Sequence, residues 1–254
     1  MPLLEVNNLS KRFGGLQAVK EVSFRVEPGM IKAVIGPNGA GKTTLFNLLS
    51  GFIAPDAGTI VFRDRPLQGK GPWKIAAEGV SRTFQHIRLF SRMTALENVT
   101  VGRHVRSSAG FLSGMLNLPR TRREERDIRE QALATMAFLG IESLADADAT
   151  SLSYGQQRAV ELARALAAEP RMLLLDEPAA GLNMRETADL ARLIGRIRDR
   201  GITVLVVEHD MSLVMNISDE IVVLSYGEKI ADDRPLAIQK NADVIRVYLG
   251  DDAC

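Results

Sequence analysis

Cysteine is almost missing from this chain: of 254 residues only the last, Cys254, carries a thiol. A single thiol excludes an internal disulfide framework and a zinc site built on cysteines, and a reducing compartment suits such a chain. An excess of either charge is also lacking. Thirty-two Lys and Arg face 31 Asp and Glu, leaving a formal charge of +1, whereas duplex binding normally shows as a basic surplus, so nucleic acid is not an expected partner. Long apolar runs are missing too. The longest uncharged stretches, Thr43–Pro55 and Ser107–Pro119, contain Gly, Asn, Ser or Pro and fall short of the roughly 18 apolar residues a spanning helix needs. The opening Met1-Pro2-Leu3-Leu4-Glu5 has neither the basic nor the apolar region of a secretory signal. Histidine is scarce as well: His86 and His104 have no partners at ligand spacing, so neither is assigned a metal. The single Trp73 reads as a packing residue.

What is present is an ordinary globular balance, 46% apolar and 25% charged, long enough for one large α/β domain or two small ones. The first sixty residues read as strands: Leu4–Leu9, Val19–Val26, Met30–Ile35 and Thr59–Phe62, with Glu27-Pro28-Gly29 as a turn. From about Arg88 to Ala168 helical patterns take over; Ile128, Ala132 and Met136 recur every four residues as one buried face. Met172–Leu175 and Ile202–Val207 are continuous apolar runs, suited to parallel strands covered on both faces. Between them Leu190, Leu193, Ile194 and Ile197 mark a helix closed by Gly201. Strand, helix, strand at this spacing predicts a βαβ unit and a parallel sheet.

Gly36-Pro37-Asn38-Gly39-Ala40-Gly41-Lys42-Thr43 matches G-x-x-x-x-G-K-[ST] between an expected strand and an expected helix. Here a glycine-rich turn lets backbone N–H groups close around phosphates at a helix N-terminus. The spacing predicts binding of a nucleoside triphosphate such as ATP through Asn38, Gly39, Ala40, Gly41, Lys42, Thr43 and Thr44. Lys42 would reach the β- and γ-phosphates, and Thr43 would ligate Mg²⁺. Leu173-Leu174-Leu175-Asp176-Glu177-Pro178 brings a carboxylate to a strand end. Asp176 is expected to hold Mg²⁺, and Glu177 to polarise the attacking water. In Leu152-Ser153-Tyr154-Gly155-Gln156, Ser153 and Gln156 stand at capping-box spacing before a helical face of Val160, Ala163 and Ala167.

A P-loop, an Asp-Glu pair and this third segment together resemble the ATP-binding-cassette (ABC) ATPases, whose signature is written LSGGQ; Tyr154 departs from it at the third position. The resemblance runs from Leu3 to about Gly250. It implies a P-loop NTPase (RecA-like) parallel-sheet core with an N-terminal antiparallel β subdomain and an inserted helical subdomain. On that division, 1–87 and 169–254 form the core with the β subdomain, and 88–168 the signature subdomain. The same resemblance makes Gln85 the Q-loop residue that contacts Mg²⁺ or the lytic water. It makes His209 the switch histidine at the γ-phosphate and Phe13 the aromatic stacked on adenine. Asn183 falls where an Asp is more usual. Ser153, Gly155 and Gln156 would face the ATP of an opposing cassette, so the engine would be a dimer.

Three segments narrow the resemblance: Arg12-Phe13-Gly14-Gly15-Leu16-Gln17-Ala18-Val19, Glu177-Pro178-Ala179-Ala180-Gly181-Leu182-Asn183, and the ending Asn241–Gly250. With the long insertion around Val105–Arg126, they look like the LivG-type subunits of branched-chain amino acid importers. That implies a chain peripheral on the inner face of the cell membrane. It would work with two transmembrane permease subunits, a second and non-identical ABC ATPase subunit, and, indirectly, a periplasmic binding protein. A lipopolysaccharide-export ATPase, or a cassette acting on DNA or ribosomes, are the alternatives.

Overall fold

The protein is described by a computed structural model covering residues 1–106 and 119–249. The uncharged stretch Ser107–Pro119, expected to join a loop to a helix, lies outside the described residues except for Pro119, and Cys254 lies outside them as well.

Strands β1 (Leu4–Phe13), β2 (Leu16–Val26), β4 (Ala57–Phe62) and β5 (Arg65–Pro66) form an antiparallel sheet in the order β2-β1-β4-β5. A second sheet has the order β10-β9-β3-β8-β7-β6. It is made of β3 (Ile31–Ile35), β6 (Val80–Arg82), β7 (Met172–Asp176), β8 (Thr203–Val207), β9 (Glu220–Ser225) and β10 (Glu228–Asp233). Its neighbours from β9 to β6 pair in parallel, and β10 alone runs antiparallel to β9. Every residue of β3, β7 and β8 is buried, which is why Met172–Leu175 and Ile202–Val207 read as unbroken apolar runs instead of alternating.

Helices cover both faces of this second sheet. On one side α1 (Lys42–Leu49) packs between the two sheets, its Leu45 and Phe46 fully buried against Val6, Ile60 and Leu174. On the other lie α6 (Met184–Asp199), with Leu190, Ile194 and Ile197 inward, α7 (Met211–Ile217) and α8 (Ala242–Leu249). Gly201 follows α6 at φ 81°, the left-handed residue that ends a helix. A separate core joins α3 (Ala95–Arg103), α4 (Pro119–Leu139) and α5 (Tyr154–Ala167) through Leu96, Val99, Ala132, Met136, Val160 and Ala163.

Lys32 is the one charged residue in the middle of these strands, 2% exposed. Its ammonium lies 2.9 Å from Glu220 and 2.7 Å from Asp232 and donates to the Arg25 carbonyl at 2.9 Å. Two carboxylates and a carbonyl surround the ammonium, so the buried charge is compensated, and it ties β2 to the edge of the second sheet. Trp73 corrects the sequence reading: it is not a packing residue but 71% exposed at the start of α2 (Pro72–Glu78). Helix α2 buries only Ile75, and the indole faces the other way with the Lys74 ammonium 5.3 Å from its ring.

Helices α3 and α5 meet almost backbone to backbone. A Cβ placed on Gly102 would lie 2.1 Å from the Arg164 carbonyl oxygen. Gly102→Ala should therefore force the helices apart at a cost of about 1–3 kcal/mol, only partly offset by the roughly 1 kcal/mol helix preference of alanine. Urea unfolding should show a lower midpoint at unchanged slope; a wild-type midpoint would show that the two helices separate freely.

Candidate functional site

Parallel pairing places Val34 beside Val207, and Val207 beside Asp176. The chains leaving β3, β7 and β8 therefore emerge side by side at one edge, the carboxyl edge where α/β sheets bind ligands. The P-loop leaves β3, Glu177 follows β7, and Glu208-His209 follows β8.

In the P-loop, Gly41 is at φ 101°, and a Cβ there would lie 2.3 Å from the Ala18 carbonyl oxygen of β2. Only glycine fits. Lys42, 7% exposed, donates to the carbonyls of Gly36 at 2.6 Å and Pro37 at 3.0 Å. Burial pulls its pKa below the usual lysine value, and the charges of Glu177 and Asp176 oppose that shift. Thr43 is exposed and Thr44 half-buried in the first turn of α1, where no acidic residue competes for the helix N-terminus.

Asp176 is 4% exposed. Its Oδ2 accepts from Arg82 at 2.7 Å, and Arg82 also donates to Asn47 and Ser50, each at 2.8 Å. The same guanidinium lies 5.1 to 5.7 Å from the rings of Phe84, Phe46 and Phe52. Sequence reading missed Arg82; the signal was a full charge in a short strand just ahead of Gln85. One oxygen of Asp176 is thus committed to the protein.

Glu177 has φ 47°, a left-handed conformation that a non-glycine residue adopts only under constraint. Its N–H donates to the Val207 carbonyl at 2.9 Å. Its Oε2 accepts from the Gln85 amide at 2.8 Å and lies 3.8 Å from His209 Nδ1. The three residues expected to act in catalysis, Gln85, Glu177 and His209, therefore converge. The turn behind them is held by Glu208, fully buried, whose two oxygens accept from the N–H groups of Ala179 at 2.8 Å and His209 at 3.1 Å. Burial raises the pKa of Glu208, with those N–H donors opposing.

Ser153, Gly155 and Gln156 lie elsewhere, at the start of α5. The Ser153 N–H donates to Gln156 Oε1 at 2.9 Å, and the Gln156 N–H to Ser153 Oγ at 3.4 Å, the expected capping box. They line a groove of about 550 Å³ against Leu182, Glu186 and Leu190 of the following segment and α6. Asn183 caps α6, its Oδ1 accepting from the N–H groups of Arg185 and Glu186, a task for which no negative charge is needed. Phe13 stands at the end of β1, 48% exposed, with Lys11 5.6 Å from its ring; among the described residues it makes no contact with Lys42, Asp176 or Glu177.

One buried side chain of the helical core reaches this edge directly. Arg158 of α5, 6% exposed, donates to the carbonyls of Phe84 at 2.8 Å and Gln85 at 3.0 Å. Glu161, 1% exposed, lies 3.3 Å from it, and burial raises the pKa of that carboxyl against the opposing charge of Arg158.

Removing Arg82 should strand the buried Asp176. Arg82→Met is expected to cost about 3–5 kcal/mol, read as the guanidinium unfolding midpoint, and Arg82→Met with Asp176→Asn should recover part of it. Equal losses in both would mean that Arg82 acts only by packing on its three phenylalanines.

Comparison with known proteins bears on this geometry. Residues 19–180 match the family described as ABC transporter, and residues 228–254 match that described as branched-chain amino acid ATP-binding cassette transporter. The high-affinity branched-chain amino acid transport ATP-binding protein BraF of Pseudomonas aeruginosa is 49% identical over 98% of this chain and 98% of its own length. Its counterpart LivG of Escherichia coli is 47% identical over the same shares. A crystal structure of a nucleotide-free ATP-binding cassette from an ABC transporter covers 99% of this chain and 100% of its own, with 32% identity and a TM-score of 0.85. The chain belongs to the ABC transporter family and is one of its ATP-hydrolysing cassettes.

Proposed function

We propose that this cassette powers the import of branched-chain or closely related amino acids by hydrolysing ATP at the Gln85–Glu177–His209 cluster. The observation that carries the catalytic part is the Glu177 carboxylate, placed one residue beyond Asp176 and met by both Gln85 at 2.8 Å and His209 at 3.8 Å. The relatives named for branched-chain amino acid transport, and the match of residues 228–254 to a family of that description, support the solute.

On this reading the triphosphate lies along the N–H groups of Asn38, Gly39, Ala40, Gly41, Lys42, Thr43 and Thr44. Lys42 turns from the Gly36 and Pro37 carbonyls to the β- and γ-phosphates. Phe13, half-exposed at its hairpin, offers a ring for adenine. Glu177 accepts a proton from water as the water oxygen bonds to the γ-phosphorus and the bond to the β–γ bridging oxygen breaks. Gln85 orients that carboxylate and water, and His209 contacts the γ-phosphate. Ser153, Gly155 and Gln156 present the N-terminus of α5 to ATP on the opposing cassette.

The donor set also suits Mg²⁺. Thr43, Gln85 and Asp176 would supply hard oxygen donors. Among the described residues no group of three or more His, Cys, Asp or Glu could hold a metal, in keeping with an ion that takes few protein carboxylates and completes its shell with water and phosphate. When bound, it would neutralise charge on the phosphate oxygens.

We assign residues 88–168 to the signature-bearing arm and the remainder to the nucleotide-binding core. Among the described residues no helix is long and apolar enough to cross a membrane. We place the solute path in two separate permease subunits, with this chain on the inner face of the membrane beside a second, non-identical cassette and a periplasmic binding protein feeding the other side.

Glu177→Gln should keep ATP affinity within about twofold while hydrolysis falls by roughly a hundredfold or more. Calorimetry and steady-state phosphate release give the two numbers, and near-normal turnover would remove Glu177 as the base. Mild-detergent purification of the tagged chain from its native membranes should bring two different multispanning subunits and a second cassette, identified by mass spectrometry. Lipopolysaccharide-export partners with a homodimer, or ribosomal or DNA-associated proteins alone, would overturn the importer assignment.

A further inference from the structure

Tyr154 occupies the one signature position that departs from the LSGGQ pattern, and its surroundings give it work. The phenol oxygen accepts a hydrogen bond from Arg158 Nη2 at 3.1 Å, and the guanidinium lies 5.7 Å from the centre of the tyrosine ring. On its other side the ring covers Gly181, where an added Cβ would lie 3.2 Å from Tyr154 Cε1. Gly181 is five residues after Asp176 in the turn that carries Glu177 into α6. Arg158 spends its remaining donors on the carbonyls of Phe84 and Gln85 and on Glu161, with only Nε unpartnered among the described residues. The amide of Gln85 in turn donates to Glu177 at 2.8 Å.

We propose that Tyr154 is a positioning residue: half-exposed, with its ring against Gly181 and its phenol oxygen on Arg158, it holds the guanidinium on the Gln85 carbonyl and so keeps the Gln85 amide on Glu177 of the same chain. A glycine at this position offers neither the ring that fills the gap over Gly181 nor the oxygen that fixes Arg158. Arg158 could then adopt other rotamers, and the Phe84–Gln85 backbone would lose its orienting charge. Tyrosine supplies both with two side-chain torsions to order. The start of the signature helix is thereby braced to the hydrolytic carboxylate within one chain, independently of any contact with an opposing cassette. The inference rests on Glu177 as the base.

The test is steady-state ATP turnover of the full-length chain. Tyr154→Phe keeps the ring and loses the bond to Arg158. It should lower kcat about three- to tenfold, with KM for ATP within about twofold. Tyr154→Gly should lower kcat at least as far. In a Gln85→Ala background, Tyr154→Phe should change nothing further, because the residue it acts through is gone. Wild-type kcat in Tyr154→Phe, or the same fold loss with and without Gln85, would overturn the proposal. If Gln85→Ala leaves no measurable turnover, the Gln85 side-chain amide resonance of selectively labelled, nucleotide-free protein decides. It should move toward the free-amide position in Tyr154→Phe, and an unmoved resonance would overturn the proposal. Near-normal turnover in Glu177→Gln would instead sink the hydrolytic reading, whatever Tyr154 does to the Gln85 resonance.

Discussion

Val34, Val207 and Asp176 lie in one row across three parallel strands, and each functional segment of the core is the continuation of one member of that row. The P-loop follows the first, His209 the second and Glu177 the third. Because the strands are buried throughout, a one-residue slip would exchange side chains between the two cores and break the packing on both faces at once. The register is thereby specified strongly. The distances among Lys42, Glu177, Gln85 and His209 are thus set by packing far from any phosphate, which is what a preorganised charged site requires.

Charges at this edge are stabilised in different ways. Asp176 is held by an arginine whose terminal nitrogens also reach Asn47 and Ser50 and which is ringed by three phenylalanines, its Nε alone left without a partner among the described residues. Glu208 is held by backbone N–H groups at the two turns behind Glu177. Lys42 spends its protons on carbonyls of its own loop. Each of these buried charges has hydrogen-bond partners within the protein, so the edge can stay assembled before a nucleotide arrives.

The helical arm touches the edge through few groups, chief among them Arg158 with its bonds to Phe84 and Gln85. Its own core of Leu96, Val99, Met136 and Val160 is separate from those around the main sheet. Leu162, Ala165 and Leu166 of the same α5 belong to the core of the main sheet, so the joint is apolar behind and polar at the edge, and Gln85 sits at the polar part with its backbone bonded to Arg158 and its amide to Glu177.

Sequence alone determined the elements and the chemistry whose residues are neighbours along the chain. The P-loop, the Asp176-Glu177 pair, the capping box of Ser153 and Gln156, and the fully apolar strands were all legible, because each is a local pattern of turn, cap or period. Long-range partnerships were not. Arg82 with Asp176 are 94 residues apart, Arg158 with Gln85 are 73, and Gln85 with Glu177 are 92; Glu208 behind Glu177 and the exposure of Trp73 belong to the same class. Nothing within a few residues of Arg82 or Arg158 records which carbonyl or carboxylate each will meet. Only the stacking of parallel strands and the seating of α5 against them decided that, since a buried charge takes whichever partner the fold brings within hydrogen-bond reach.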